Sequence, residues 1–228
     1  MTRPFVLLVV AKAPVAGLAK TRLCPPATPA QAAEIAAAAL LDTLDAVCAV
    51  PGALPVVAMT GDLGAAARPV EIGMALRHVT TIPQRGPDFG VRLANAHADA
   101  AAVHAGLPIL QIGMDTPQVT PELLAAAAAP VRDGGHDSVL GPAVDGGWWA
   151  LGLAEPRHAQ VLADVPMSRD DTGIRTLRAL VACGLRPSGA PRLSDVDTMA
   201  EARSVAAACP RGRFARAVTA VGGQAVAS

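Results

Sequence analysis

Residues 5–23 read FVLLVVAKAPVAGLAKTRL. An apolar run from Phe5 to Ala11 breaks into a loop that carries Lys12, Pro14, Gly17, Lys20, Thr21 and Arg22 with no acidic residue among them. A continuous apolar run marks a strand covered on both faces, as in parallel sheets, and ligands of such sheets bind beyond the carboxyl ends of the strands. The cations Lys12, Lys20 and Arg22, placed there, fit a polyphosphate; the alternative is a solvated basic loop. Lys20-Thr21 ends like a P-loop, but that motif needs glycine directly before the lysine and again five residues earlier, where this chain has Ala19 and Pro14. No G-x-G-x-x-G follows the strand either. What fits is a looser cradle of backbone N–H groups and two or three cations.

The chain has 228 residues, enough for one domain over 1–228 with a sizeable core. With 52% hydrophobic but only 2% aromatic residues, that core must be built from Ala, Val and Leu, so its helices must pack closely. Lys plus Arg and Asp plus Glu are 19 each, which disfavours a nucleic-acid polymer or an anionic membrane as partner and suits a small-molecule substrate. Cys24, Cys48, Cys183 and Cys209 are widely spaced and read as reduced structural thiols. The first apolar run is too short to span a membrane and no small-residue cleavage site follows it, so a cytoplasmic location is expected. A homodimer stays open.

Further along, Thr28-Pro29-Ala30-Gln31 is a helix start with a capping hydroxyl and an early proline, and the helix should run to about 49. Strands are expected at 54–60, 75–82, 107–112, 137–142 and 148–153, a proline-broken edge strand at 185–193, and helices at 91–105, 120–131, 168–183 and 199–209. A short helix is expected at 61–68, and the tail from Pro210 should be peripheral or disordered. Strands alternating with helices imply a three-layer α/β/α domain with a mainly parallel central sheet.

The polar motifs fall at strand ends. Gln84 and Gly86, in a glycine-bearing loop, could read a nucleobase edge, or the loop could be a turn with Asp88 capping the next helix. Asp115, just past an apolar strand, suits Mg²⁺, which favours one or two carboxylates plus phosphate oxygens; an Asx-turn is the alternative. Asp145, Gly146 and Gly147 lead into Trp148-Trp149, of which one tryptophan should be core and the other could wall a ligand site, since neighbours on a strand face opposite ways. Asp195 and Asp197, at i and i+2, could complete a metal site with Asp115, unless Asp197 or Thr198 caps the helix that follows.

Taken in order, Ala11-Lys12-Ala13-Pro14 with Gly17 and Lys20-Thr21-Arg22-Leu23, Gln84 with Gly86, Asp88 and Gly90, Gly113-x-Asp115-x-Pro117, Gly141-Pro142-x-x-Asp145-Gly146-Gly147 and Asp195-Val196-Asp197-Thr198 resemble the DUF2064, or rSAM/selenodomain-associated transferase 1, family of the GT-A (nucleotide-diphospho-sugar transferase) fold. The resemblance spans about residues 5–205, with Trp148-Trp149 where tyrosines are usual. It implies a nucleotide donor and a divalent metal, Mg²⁺ or Mn²⁺. Family members are commonly labelled glycosyltransferases, which implies a nucleotide-diphosphate sugar. The run from Ala19 to Leu23 and the single Asp-x-Pro are instead similar to nucleotidyltransferases such as the 2-phospholactate guanylyltransferases, which implies an NTP, a phosphorylated acceptor and release of pyrophosphate. On that reading Lys20, Arg22, Asp115 and Asp145 are catalytic; Ala11, Lys12, Pro14, Gly17, Lys20, Arg22, Gln84 and Gly86 bind the nucleotide; Asp145, Gly146, Gly147 and Trp148 face the acceptor; and Asp115, Asp195 and Asp197 hold the metal. A non-catalytic nucleotide-binding protein is the third alternative.

Overall fold

A computed structural model describes residues 3–223. Seven strands, β1 (Phe5–Lys12), β2 (Ala53–Thr60), β3 (Thr80–Pro83), β4 (Ile109–Gly113), β5 (Ser138–Pro142), β6 (Trp148–Leu153) and β7 (Pro187–Gly189), form one sheet in the order β3-β2-β1-β4-β6-β5-β7. All pairings are parallel except those of β6, which runs against both β4 and β5. After β1 the chain builds outward through β2 and β3, then returns to the other side of β1 for β4. The carboxyl ends of β1 and β4 therefore flank the point where strand order reverses, the place where open α/β sheets hold ligands.

The helices are α1 (Pro29–Cys48), α2 (Pro69–Leu76), α3 (Phe89–Val103), α4 (Pro121–Arg132), α5 (Thr172–Ala182), α6 (Met199–Ala208) and α7 (Arg213–Gly223). One face of the sheet is covered by α1, α2 and α4, the other by α3, α5 and the 3₁₀ segment Pro156–Asp164. The expected three layers are thus present. Beneath α3, His97 is fully buried with its Nε2 2.9 Å from Gln111 Oε1 on β4, and burial pushes its pKa down to about 4, so the ring is neutral.

The alanine-rich α1 shows how this composition makes a core. Ala36, Ala37, Leu40, Leu41 and Leu44 face the sheet, while Ala32, Ile35, Ala38 and Ala39 lie in a separate apolar cluster with Phe214 and Val218 of α7, Val205 of α6, and Leu23 and Val196. A helix apolar all round must be covered all round. The expectation of a peripheral or disordered tail is corrected for residues 213–223, which are helical, with Phe214 fully buried; the rest of that tail, 224–228, lies outside the described residues. The α7 amino end is capped from α1, Asp42 accepting from the backbone N–H of Arg213 at 3.1 Å and of Phe214 at 2.8 Å.

Two local expectations are also corrected. The strand expected over 75–82 is Thr80–Pro83, and the start of the expected span, 75–76, is instead the last part of α2, entered through Pro69 with Glu71 in its first turn; only Ile72 of that helix is buried. Proline at the first helical position and an acidic first turn favour helix over strand. The helix expected over 61–68 is one 3₁₀ turn, Leu63–Ala65, nucleated by Asp62 accepting from Gly64 N–H. The segment Pro156–Asp164 was not foreseen; Gly90 of α3 packs on it so closely that a Cβ there would lie 2.3 Å from the Leu162 carbonyl oxygen.

The Asp42 cap gives a stability test. Asp42→Ala removes a largely buried, charge-assisted cap and should lower unfolding free energy by about 2 kcal/mol in urea titration. Asp45→Ala, which breaks the exposed second contact of Arg213, should change it by less than about 0.5 kcal/mol.

Candidate functional site

Beyond the end of β1 the chain turns at Gly17, with φ +76°, and again at Lys20, which sits in the left-handed region at φ +47°. A non-glycine residue held there costs about 1 kcal/mol or more, so its surroundings must fix it. They do so from both sides. Leu23, fully buried, plugs the end of the loop into the cluster beneath α6 and α7, and the Lys20 ammonium lies 2.8 Å from Asp115 Oδ2 and 2.8 Å from Asp197 Oδ1.

Those carboxylates come from separate loops. Asp115 follows β4, whose last residue, Gly113, leaves it room: a Cβ at 113 would lie 2.5 Å from Asp115 Oδ1. Asp197 precedes α6, and Val196, buried in the same cluster as Leu23, donates its backbone N–H to the Asp115 carbonyl at 3.2 Å. Of the two residues that could cap α6, Thr198 is the one that does so. Thr198 caps α6 in a reciprocal box with Glu201, which leaves the Asp197 carboxylate to Lys20 and, at 3.2 Å, to Arg22.

Burial alone would lower the pKa of Lys20; Asp115 and Asp197 outweigh it and hold the ammonium charged. Desolvation would raise Asp197, but Lys20 and Arg22 keep it below the ordinary carboxylate range. Asp195 goes the other way. Burial, then the charges of Asp145, Asp115 and Asp197, push it up to about 6. Four carboxylates thus share one corner. Among the described residues no three acidic, histidine or cysteine side chains converge as a ready-made metal cage. Two carboxylate oxygens already meeting around one cation nevertheless fit a hard divalent ion that takes its remaining ligands from phosphate and water.

The other expected residues are distributed around this corner. Lys12 is exposed, its ammonium bonded to the Leu18 carbonyl at 2.9 Å, so it braces the loop. Pro14, buried, accepts from Ala67 N–H, and Ala11 is buried at the end of β1. Gln84 donates both amide hydrogens to backbone carbonyls at or near the strand ends, Ala11 O at 2.8 Å and Ala58 O at 2.9 Å. Gly86, at φ +136°, is required by its turn, because a Cβ there would meet Val91 at 2.7 Å; Asp88 caps α3 as the alternative reading held.

In the loop between β5 and β6, Asp145 closes an Asx turn by accepting from Gly147 N–H at 2.7 Å. The close approach that Gly146 permits is made by the chain itself: a Cβ there would lie 1.8 Å from Asp170 O, and Gly146 O accepts from Gly173 N–H at the start of α5. Trp149 is the core tryptophan, its indole N–H bonded to Pro191 O at 2.8 Å; Trp148 is half-buried on the opposite face, bonded to Thr176. Gln118 was missed: its amide donates to the Ser194 carbonyl and ties the Asp115 loop to the Asp195–Asp197 segment, and no sequence pattern marks it. Gly173 was missed too, though glycine in the first turn of a helix hints at a close contact.

In the absence of added metal, the Asp195 carboxyl should make stability pH-dependent. Its folded-state pKa lies above the unfolded value of 3.8, so its contribution is complete below about pH 4 and is lost as pH rises through 6. With a chelator present, Asp195→Asn should match the parent protein at pH 4 and exceed it at pH 7.5 by on the order of 1 kcal/mol, a figure reduced for solvent screening. Urea midpoints at the two pH values check this, and a variant less stable at pH 7.5 would contradict it.

The family model described as "Uncharacterized protein conserved in bacteria (DUF2064)" matches residues 43–169. No curated protein sequence matches the chain. Among solved structures, a candidate nucleotide-diphospho-sugar transferase of Desulfovibrio desulfuricans G20 superposes with a TM-score of 0.81 at 23% identity, covering 96% of both chains. CMP:2-keto-3-deoxy-manno-octonic acid synthetase in complex with CTP gives 0.56 at 12% identity, covering 91% of this chain and 99% of the other. Rv0371c of Mycobacterium tuberculosis H37Rv, in complex with manganese, gives 0.52 at 19% identity, covering 90% and 98%. These likenesses establish the nucleotide-diphospho-sugar transferase type of fold.

Proposed function

As the chain belongs to the DUF2064 family of bacterial proteins, whose reaction its description leaves open, we propose that it is a metal-dependent transferase with a nucleotide donor, transferring a nucleotidyl group from an NTP to a phosphorylated small molecule with release of pyrophosphate. The observation that carries this reading is the Lys20 ammonium shared by Asp115 and Asp197 at the end of β1 and β4, beside a loop of further cations. Likeness of fold to a CTP-bound synthetase and to a manganese-bound protein supports it.

The parts have distinct tasks in such a reaction. Lys20 and Arg22 neutralise the triphosphate, and Lys12 stiffens the loop that presents them. Asp115 and Asp197 would hold Mg²⁺ or Mn²⁺, with Asp195 close enough to reinforce the negative field. The bound ion would supply charge neutralisation on the phosphate oxygens as the bond to pyrophosphate breaks. Gln84 Oε1 and the Gly86 turn would meet the base. Asp145 and Trp148 would border the acceptor, whose phosphate oxygen attacks the α-phosphorus. Phosphoryl chemistry of this kind asks the protein for positioning and electrostatic stabilisation more than for covalent participation.

A second reading, glycosyl transfer from a nucleotide-diphosphate sugar, is favoured by the likeness to the Desulfovibrio protein. The same cations would then stabilise a leaving diphosphate, and Asp145 would orient or deprotonate an acceptor hydroxyl.

Calorimetric titration with Mg²⁺ plus CTP, GTP, UTP or ATP, set against UDP-glucose and GDP-mannose, separates the two. Triphosphate binding that is lost in Lys20→Ala is the expected result; preference for a nucleotide sugar would move the assignment to glycosyl transfer. Asp115→Asn should lower turnover by 10²-fold or more, on the order of losing one electrostatic stabiliser, with the fold intact by circular dichroism. Unchanged turnover would remove Asp115 from the site.

A further inference from the structure

The Lys20 ammonium stands between two carboxylates that come from separate loops. Its Nζ is equidistant, at 2.8 Å, from Asp115 Oδ2 and Asp197 Oδ1, and only 16% of its side chain is exposed. Both carboxylates are therefore committed to a compact, mobile point charge on a flexible stem, not to the rigid fork of an arginine. Arg22 touches only the other oxygen of Asp197 and is 74% exposed, so it can stay in place whichever cation occupies the pair. The left-handed backbone at Lys20 lies between the Gly17 turn and the Leu23 anchor, which gives the side chain a fixed base from which to swing.

We propose that Lys20 is a placeholder cation: it and the divalent ion occupy the Asp115–Asp197 pair in turn, so that arrival of the ion releases the ammonium toward the donor phosphates. The proposal rests on the reading of Asp115 and Asp197 as metal-holding residues, but not on the identity of donor or reaction. Without a cation between them, two carboxylates brought this close from separate loops would repel, and the loops would part. With the lysine there, the pair stays assembled before metal arrives. Exchange also links the two ligands. Each cation must displace the other, so whatever draws Lys20 away raises metal affinity, and metal raises the availability of Lys20 by the same factor.

The chain is suited to a direct test, because Lys12 and Lys20 are its only lysines. Lys12 is exposed and makes its bond to a backbone carbonyl, so it serves as an internal control. Acylation by acetyl N-hydroxysuccinimide ester, followed by mass spectrometry on the full chain without nucleotide, should show Lys20 protected relative to Lys12. Mn²⁺ should speed modification of Lys20 by about 5-fold or more, within the usual range of coupling between sites, and leave Lys12 unchanged. In parallel, electron paramagnetic resonance titration should give Lys20→Met a Mn²⁺ affinity about 5-fold or more above that of the parent, abolished by a further Asp115→Asn. Equal Mn²⁺ affinity in parent and Lys20→Met, or Lys20 acylation indifferent to Mn²⁺ that is bound, overturns the exchange alone. No Mn²⁺ binding to either protein overturns both the exchange and the metal reading; nucleotide binding without turnover touches only the proposed reaction.

Discussion

The constraint on which the molecule turns is the burial of α1. Its middle, residues 35–41, is apolar on every side and cannot lie on a sheet and leave its back to water. The sheet covers one side, and α6 and α7 cover the other. The consequence reaches the site: α6 carries Val196 and Asp197 at its entrance, and the same apolar cluster takes in Leu23 at the end of the cationic loop. Hydrophobic packing behind α1 thereby brings the cation of one loop to the carboxylates of two others, across sequence separations of 95 and 177 residues.

Charge then does what packing cannot. Three cations and four carboxylates occupy the carboxyl edge of the sheet, yet they are sorted: Lys20 and Arg22 draw Asp197 down in pKa, while burial and the neighbouring carboxylates push Asp195 up. The cations and carboxylates are interleaved, Lys20 lying between Asp115 and Asp197.

Much of this was legible in the chain. Apolar runs with glycine or proline at their ends gave away β1, β4 and β5, and the motifs that follow them do gather at one edge. Thr28 and Gln31 announced the α1 cap, which forms as a reciprocal box. Other features were hidden for physical reasons. The α7 sequence, RFARAVTAVGG, reads as a loose tail because its arginines and small residues conceal a stripe headed by one phenylalanine, and only the uncovered back of α1 makes that stripe worth burying. The apolar end of α2, residues 75–76, runs on toward β3 and reads with it as one strand, while Pro69 marks the helix start further upstream. At Gly146 the sequence signals close approach but not what approaches; the neighbour is the entrance of α5. Gln118 could not have been read at all, since a glutamine bonded to a distant backbone carbonyl leaves no local pattern.

The Asp42 cap has a consequence for how the chain assembles in time. Its bonds to Arg213 and Phe214 join residues about 170 positions apart, so α1 is synthesised well before the helix that covers its outer side. Until then its second apolar face is open, and the sheet beneath it rests on contacts that are themselves distant in sequence. Nascent chains would pass through a stage in which the central layers are formed and an alanine-rich stripe stands bare, the kind of surface that chaperones and neighbouring chains compete to cover.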